Sequence, residues 1–582
     1  MDLALHIKAS NHLTYGLSQG YCVFLAKSLV SWSTRKQKVV ARSSAELEYG
    51  AVSDLSSKLQ ALEHVLGSLR RFYQHLKYHE GVWGWFPIIF FEILEFEAKA
   101  IEMGPLLILV VAIFGGLAVL GWLLKNVNWW IYERPLGDKQ YSLPPGDMGL
   151  PIIGNMWSFL LAFKSEHPDS YVASFVKKYG NTGIYKSLMF GFPSVIVTKP
   201  ETCKKVLMDD EKFQPGWPAS TEELMGKYSF IVLPYEEHKR IRRLTSTSIN
   251  GMDALSFYLT IIEDIAKSSL ETWSKMGEIE LLTELRRFTF RIIMHIFLGP
   301  EREHVMHSLG KEYSALNLGV RAMKINLPGF AYHKARKAKK KLDAVFRSVV
   351  EQRRKERKEK VHRKFRDMID DLMDAELDDE QITDIIVMYT NNGHESSGHT
   401  TMWATVYLQQ YPEVFQKAKA EQEEIIRRRP ATQTTLTLNE IRQMKYLSKV
   451  IDETFRLVTL SWMVFRVAKS DVNINGYLVP KGWKALVWFR EIHFDPKIYP
   501  NPYEFNPSRW DNFTPKAFEF MPFGAGSRLC PGNDLAKMET IVFLHHFLLN
   551  YRLERLNPKS HVRYLPHPRP TDNCVAKIHK IS

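Results

Sequence analysis

The chain has 582 residues, 45% of them hydrophobic and 24% charged, enough apolar side chain for the core of one large domain or of three ordinary ones. Its four cysteines, Cys22, Cys203, Cys530 and Cys574, form no Cys-x-x-Cys pair; this argues against a small disulfide-stapled fold and a structural zinc site, and reads the catalytic part as facing the cytosol. A formal net charge of +14 suits an acidic protein partner, an anionic membrane surface or nucleic acid, and does not choose among them.

Residues 1–68 carry Gly20–Leu25, Ser31–Gln37 and Val40–Tyr49, which resemble the RNase H segment of copia-type retrotransposon polyproteins. That fold holds two metal ions on several carboxylates. Only Glu46 or Glu48 is in place here, so the stretch is expected to be a truncated, inactive remnant. Residues 69–102 mix Trp83, Trp85, Phe86, Phe90 and Phe91 with Glu92, Glu95 and Glu97 and are left as a linker of unknown role. Gly104–Leu124 then runs for 21 residues without a charge, a length that predicts a transmembrane anchor over 103–125. Acidic residues precede it and Lys125, Arg134 and Lys139 follow, which predicts one pass with the C-terminal part in the cytosol. Met103 is the expected functional start.

Pro144, Pro145 and Pro151 among Gly146, Gly149 and Gly154 predict a stiff hinge over 126–155, ahead of a catalytic domain over 156–582. Ser194–Thr198 predicts a strand and 201–208 a helix. In 236–243 the residues Lys239, Arg240, Arg242 and Arg243 form a basic helical face beginning at His238. Residues 334–364 carry a denser basic run interleaved with Val345, Phe346, Val349 and Val350, which reads as an amphipathic helix with a solvated or membrane-near face and not as a nucleic-acid site.

Asp378-x-x-Gln381 predicts the start of a long central helix. Its apolar pattern, Ile385–Met388 and then Met402, Trp403 and Val406, is expected to be interrupted by Asn391–His399. Gly393, Glu395 and Ser396 in the middle of a buried helix cost stability unless they act. Thr437-x-x-Glu440 caps a further helix reaching about Thr459 and holding Glu453 and Arg456, and Val472–Val479 reads as a hairpin on Asn475-Gly476.

The most specific chemistry lies at 523–532, Phe-Gly-Ala-Gly-Ser-Arg-Leu-Cys-Pro-Gly. Cys530 stands in a glycine-rich loop before the apolar run Ile541–Leu549, where a helix N-terminus and uncovered backbone N–H groups stabilise a thiolate. Such a sulfur is an axial ligand for haem iron. The spacing Phe-x-x-Gly-x-Arg-x-Cys-x-Gly resembles the haem loop of the cytochrome P-450 family. The resemblance covers about 103–582 and implies a mainly α fold with small β-sheets, a haem-thiolate fold with an N-terminal transmembrane anchor, and haem b as cofactor.

The implied roles follow position by position. Cys530 would ligate iron, with Phe523 covering the sulfur and Gly526 and Gly532 admitting the porphyrin. Arg528, Arg242, Arg466 and His238 would face the haem propionates; His238 stands where tryptophan is commoner. Glu395 and Ser396 would relay protons beside Gly393, although Asn392 replaces the usual alanine. Glu453, Arg456 and Arg509 would form a structural network. Trp217, Leu460, Trp462, Met463 and Val464 are candidate pocket walls, with Trp462 bulkier than expected and Val467 in place of a glutamate.

The implied reaction is oxygen insertion into an unactivated C–H bond, using O2 and electrons from NADPH-cytochrome P-450 reductase, whose acidic face would suit Lys239, Arg240, Arg243 and Lys537. The setting is the endoplasmic reticulum membrane and its lipid. Ala315–Met323, Pro328–His333, Gly393–Thr400 and Pro570–Cys574 resemble the plant branch that oxidises an apolar diterpenoid acid in gibberellin synthesis. A triterpene (β-amyrin) oxidase and an inactive product of a gene fused to transposon sequence are the alternatives.

Overall fold

The computed structural model describes residues 18–25, 28–36, 105–298, 303–360 and 367–581. The chain divides into two compact units, Met1–Leu117 and Ala118–Ser582. In the first, β1 (Ser18–Leu25) pairs antiparallel with β2 (Ser28–Lys36) and the register slips between Val23 and Phe24. The rest of residues 1–68 lies outside the described residues, as does the linker 69–102.

The uncharged stretch forms helix α1 (Pro105–Asn128). Among the described residues no helix is long and apolar enough to cross a membrane, so the expected transmembrane anchor lacks structural support. Described apolar side chains of α1, among them Phe114, Leu117 and Trp122, are exposed. The proline-rich stretch lies in the second unit and is tied down by side-chain hydrogen bonds. Asn128 Nδ2 donates to the carbonyls of Met148 (3.0 Å) and Gly149 (2.8 Å), and Asn155 Nδ2 to that of Asp147 (2.8 Å).

The second unit is mainly helical with small sheets. Strands β3 (Ile184–Met189) and β4 (Phe192–Val197), helix α2 (Pro200–Leu207) and β5 (Phe213–Pro215) lead into α3 (Tyr235–Asn250), α4 (Met252–Lys275), α5 (Leu281–Leu298), α6 (Glu303–Val320) and α7 (Ala331–Lys358). The central helix α8 (Asp379–Gln410) follows, then α9 (Lys445–Val458), β6 (Met463–Ala468), β7 (Lys484–Trp488) and α10 (Asn533–Asn550).

The largest sheet has the order β3-β4-β7-β6-β5, with β4 and β7 parallel and the other pairs antiparallel. Strand periodicity sorts its side chains between two cores. Ile184, Leu188, Val195, Ala485 and Val487 go to one face, and Tyr185, Met189, Ile196, Leu486 and Trp488 to the other. The hairpin Val472–Ile474/Tyr477–Val479 turns on Asn475 and Gly476, both at positive φ (52° and 86°) as a two-residue turn demands.

Several expectations change in contact with this fold. Helix α8 is continuous through 391–399, with both partners of its Asp378/Gln381 capping box in place. The Thr437/Glu440 box caps a short helix, Leu438–Gln443, and Met444 at φ −73°, ψ 63° separates it from α9. On α7 the basic face is not wholly solvated. Lys339 turns inward to Asp343 and Asp384, and Arg353 to Asp367 and Asp370.

Candidate active site

Cys530 lies two residues before Gly532, the N-cap of α10. Its N–H donates to the Phe523 carbonyl (3.0 Å), closing the loop on itself, with Gly524 and Gly526 at positive φ (75° and 76°). Helix α3 holds the loop from outside: Arg242 donates to the Leu529 carbonyl and Asn250 Nδ2 to that of Pro531 (2.8 Å). Arg528 reaches the other way and donates to the carbonyls of Phe230 (2.9 Å) and Leu233 (2.7 Å). Burial pushes the Cys530 thiol up, while the Gly532 N–H and Arg242 pull it down. Yet Cys530 keeps accessible surface.

The expected roles of the loop residues divide. The Phe523 ring packs on Phe455 (4.9 Å between centroids). A Cβ on Gly526 would stand 2.3 Å from the Leu207 carbonyl oxygen at the end of α2, so the absence of a side chain here lets the loop and that helix end approach. A Cβ on Gly532 would meet nothing within 4 Å.

His238, Arg242, Arg466 and Arg528 converge. His238 is buried edge-to-face against Phe230 (5.2 Å), and its pKa falls to about 3 through burial and the charges of Arg528, Arg242 and Arg466. Burial and Arg528 likewise lower Arg466, to about 10, with Asp210 opposing. Arg528 Nε is buried without a partner. Cations crowded together in low dielectric call for an anion. A haem with two propionates fits this donor set, with Cys530 as the soft ligand of its iron.

The network behind the loop is closed. Glu453 Oε1 accepts from Arg456 Nη2 (2.8 Å), Arg509 Nε (3.2 Å) and the Asn506 N–H (3.1 Å), and Oε2 from Arg456 Nε (3.0 Å) and Trp510 Nε1 (3.0 Å). Arg456 also donates to the carbonyls of His493, Pro502 and Glu504. His493 Nε2 accepts from the Met521 N–H (3.0 Å), which ties the network to the start of the cysteine loop.

On α8 the residues from Ile382 to Val406 are buried except Asn392, Gly393 and Ser396. Positions i, i+1 and i+4 share one side of a helix, so an otherwise enclosed helix has one accessible side at mid-length. Ser396 Oγ donates to the Asn392 carbonyl (3.2 Å). Gly393 meets α5: a Cβ there would come 2.8 Å from Ile293 Cδ1, the movable end of that side chain. Glu395 turns to Arg286, whose Nη2 lies 2.7 Å from Oε2, off the axis of a proper hydrogen bond. Burial acts to raise the Glu395 pKa, but His399, Arg286, His394 and Arg321 together bring it below the usual carboxylate value. Burial also holds His399 near 4, so at neutral pH the guanidiniums keep Glu395 ionised.

The pocket candidates are scattered. Trp462 and Met463 are buried in the aromatic core beside the sheet, Trp462 against Phe163 (4.6 Å) and under Arg490 (4.6 Å). Trp217 packs on Phe465 (5.3 Å) in that core, Val464 packs on the opposite face, and Leu460 borders the helical core. Sequence reasoning missed Arg286, Arg321, His567 and Glu539. Nothing local marks the first three. Glu539, a lone carboxylate before an apolar run, was visible as an anomaly.

The family model for cytochrome P-450 matches residues 144–568. The chain belongs to the cytochrome P-450 family. As a P-450 it is a haem-dependent monooxygenase, and the loop around Cys530 falls within the matched span. The chain is 58% identical over 483 residues to ent-kaurenoic acid oxidase 2 of Arabidopsis thaliana, covering 82% of this chain and 99% of that one. It is 46% identical over 495 residues to the beta-amyrin 11-oxidase of Glycyrrhiza uralensis, covering 84% and 99%. The retinoic acid-bound cyanobacterial CYP120A1 superposes with a TM-score of 0.67 at 24% identity, covering 76% of this chain and all of that one, a likeness of fold alone. The reading of residues 1–68 as an RNase H remnant finds no support in these comparisons.

Proposed function

We propose that this P-450 oxidises ent-kaurenoic acid in gibberellin biosynthesis, in successive steps at one ring carbon. The observation that carries the reading is 58% identity along essentially the whole length of a relative bearing that name. Bound haem supplies the reductive activation of dioxygen, with electrons from NADPH-cytochrome P-450 reductase.

The roles given to this chain's residues are as follows. Cys530 holds the iron, and Arg242, Arg466 and Arg528, around a neutral His238, hold the propionates. Ser396, on the accessible side of α8, passes protons inward from Glu395. Because Glu395 Oε2 has no aligned donor, its carboxylate is free to turn from Arg286 toward Ser396. Membrane attachment rests on the uncharged run Gly104–Leu124 and the exposed apolar side chains of α1.

With reductase present, ent-kaurenoic acid should give a type I spectral shift and a 7-hydroxylated product. Turnover of β-amyrin with no response to the acid would transfer the assignment to the triterpene oxidases. Cys530→Ser should abolish the thiolate-type band of the reduced carbonyl complex. The double variant Glu395→Ala/Ser396→Ala should keep haem and substrate binding while diverting reducing equivalents to hydrogen peroxide.

A further inference from the structure

Arg321 lies just beyond α6. It is exposed, yet the protein around it lowers its pKa by burial, with Glu395 acting to raise it and Arg286 to lower it. Like Cys530, it keeps accessible surface although protein atoms crowd round it. Its Nη2 lies 2.7 Å from His567 Nε2, and His567 Nδ1 lies 3.0 Å from the Leu460 carbonyl. A carbonyl only accepts, so Nδ1 carries the proton and Nε2 accepts from the guanidinium. Arg321 is thereby held by a neutral imidazole, with no carboxylate in ion-pair contact among the described residues.

The surroundings are short of negative charge. Arg286, Arg321 and half-buried Arg569 all interact with Glu395, the carboxylate facing them among the described residues. His394, His399 and His567 are all driven toward the neutral form by burial. Three guanidiniums against one carboxylate leave two positive charges uncompensated in the interior, a costly arrangement unless an anion enters. The His567 ring lies 5.1 Å from that of His399. His399 follows Asn392 by seven residues and Ser396 by three, so, though itself buried, it lies on the same side of α8 as those accessible residues, about 5 Å along the axis from Ser396.

We propose that Arg321, presented by His567, binds the carboxylate of the substrate and so orients its apolar skeleton along the accessible side of α8 at Asn392, Gly393 and Ser396. This rests on the diterpenoid-acid reading above and deepens it. Arg321 is a specificity-determining residue that sets which end of the molecule faces the cysteine loop.

The test compares ent-kaurenoic acid with its methyl ester, and abietic acid with its methyl ester, by type I spectral titration and by ligand-induced thermal stabilisation of the haem-loaded protein. In the unsubstituted protein each acid should bind roughly tenfold or more tightly than its ester. Arg321→Met should erase that preference by weakening acid binding roughly tenfold to a hundredfold, the worth of a charge-assisted pair, and leave ester binding in place. Arg321→Lys should retain part of the preference. An intact reduced carbonyl band marks a folded variant; if Arg321→Met does not fold, the acid-to-ester ratio and Arg321→Lys decide. Equal acid binding by Arg321→Met, or no acid preference in the unsubstituted protein, overturns the inference. An Arg321-dependent preference for abietic acid without any response to ent-kaurenoic acid upholds the anion site and removes the proposed substrate.

Discussion

Two buried glutamates, one behind the cysteine loop and one on the central helix, differ in how fully their charge is met. Glu453 has five donors on two oxygens, and its partner Arg456 spends its remaining donors on three carbonyls. Every group is satisfied, so the network has one arrangement and clamps the loop. Glu395 has an off-axis ion pair, histidines held neutral by burial, and an excess of guanidinium around it. It is held ionised with fewer aligned donors than Glu453. Glu539 marks the limiting case: it is fully buried with no cation against it among the described residues, and burial raises its pKa to about 8, with only the Ser397 side chain acting to lower it.

The comparison breaks most readily at its closed end. Arg456→Met should leave Glu453 short of its main counter-charge and three carbonyls without a donor, and cost about 3–5 kcal/mol in denaturant unfolding. A loss under about 1 kcal/mol would show that the closed network does not hold the loop.

Glu539 sharpens it through pH. Its folded pKa lies above the ordinary 4.5, so between pH 4.5 and 8 the folded chain binds a proton that the unfolded chain has released. Stability from this group is full below about pH 4.5 and is lost as pH rises through 8, by on the order of 2–4 kcal/mol. Glu539→Gln should flatten that part of the profile of thermal midpoint against pH. An unchanged slope would show that the carboxyl is already ionised when folded.

At the open end, Arg286→Met removes one cation from a cluster with cations to spare. The expected cost is about 1–2 kcal/mol, below that of Arg456→Met. An equal cost would place Glu395 in the same structural class as Glu453. The smallest effect belongs to Trp510→Phe, which deletes one of the five donors to Glu453 and should lower stability by about 1 kcal/mol.

Much of this was legible along the chain, and the reason is locality. The capping boxes at Asp378/Gln381 and Thr437/Glu440 and the Asn475-Gly476 hairpin formed where expected, because each depends on residues within about four positions of one another. The spacing around Cys530 identified the family for the same reason: the loop carries its own glycines, its arginine and the helix start that follows. Tertiary structure decided what neighbours alone cannot. Gly526 lies against the backbone of Leu207 and Gly393 against Ile293, and Trp462 and Met463 joined a packed core. The cationic cluster gathers Arg286, Arg321 and Arg569, with the neutral His567, from distant segments around Glu395. Burial fixes the ionisation of His238, His399 and Glu539, and burial is a property of the assembled protein, set by dielectric and by charges brought near in space, with no trace in local sequence.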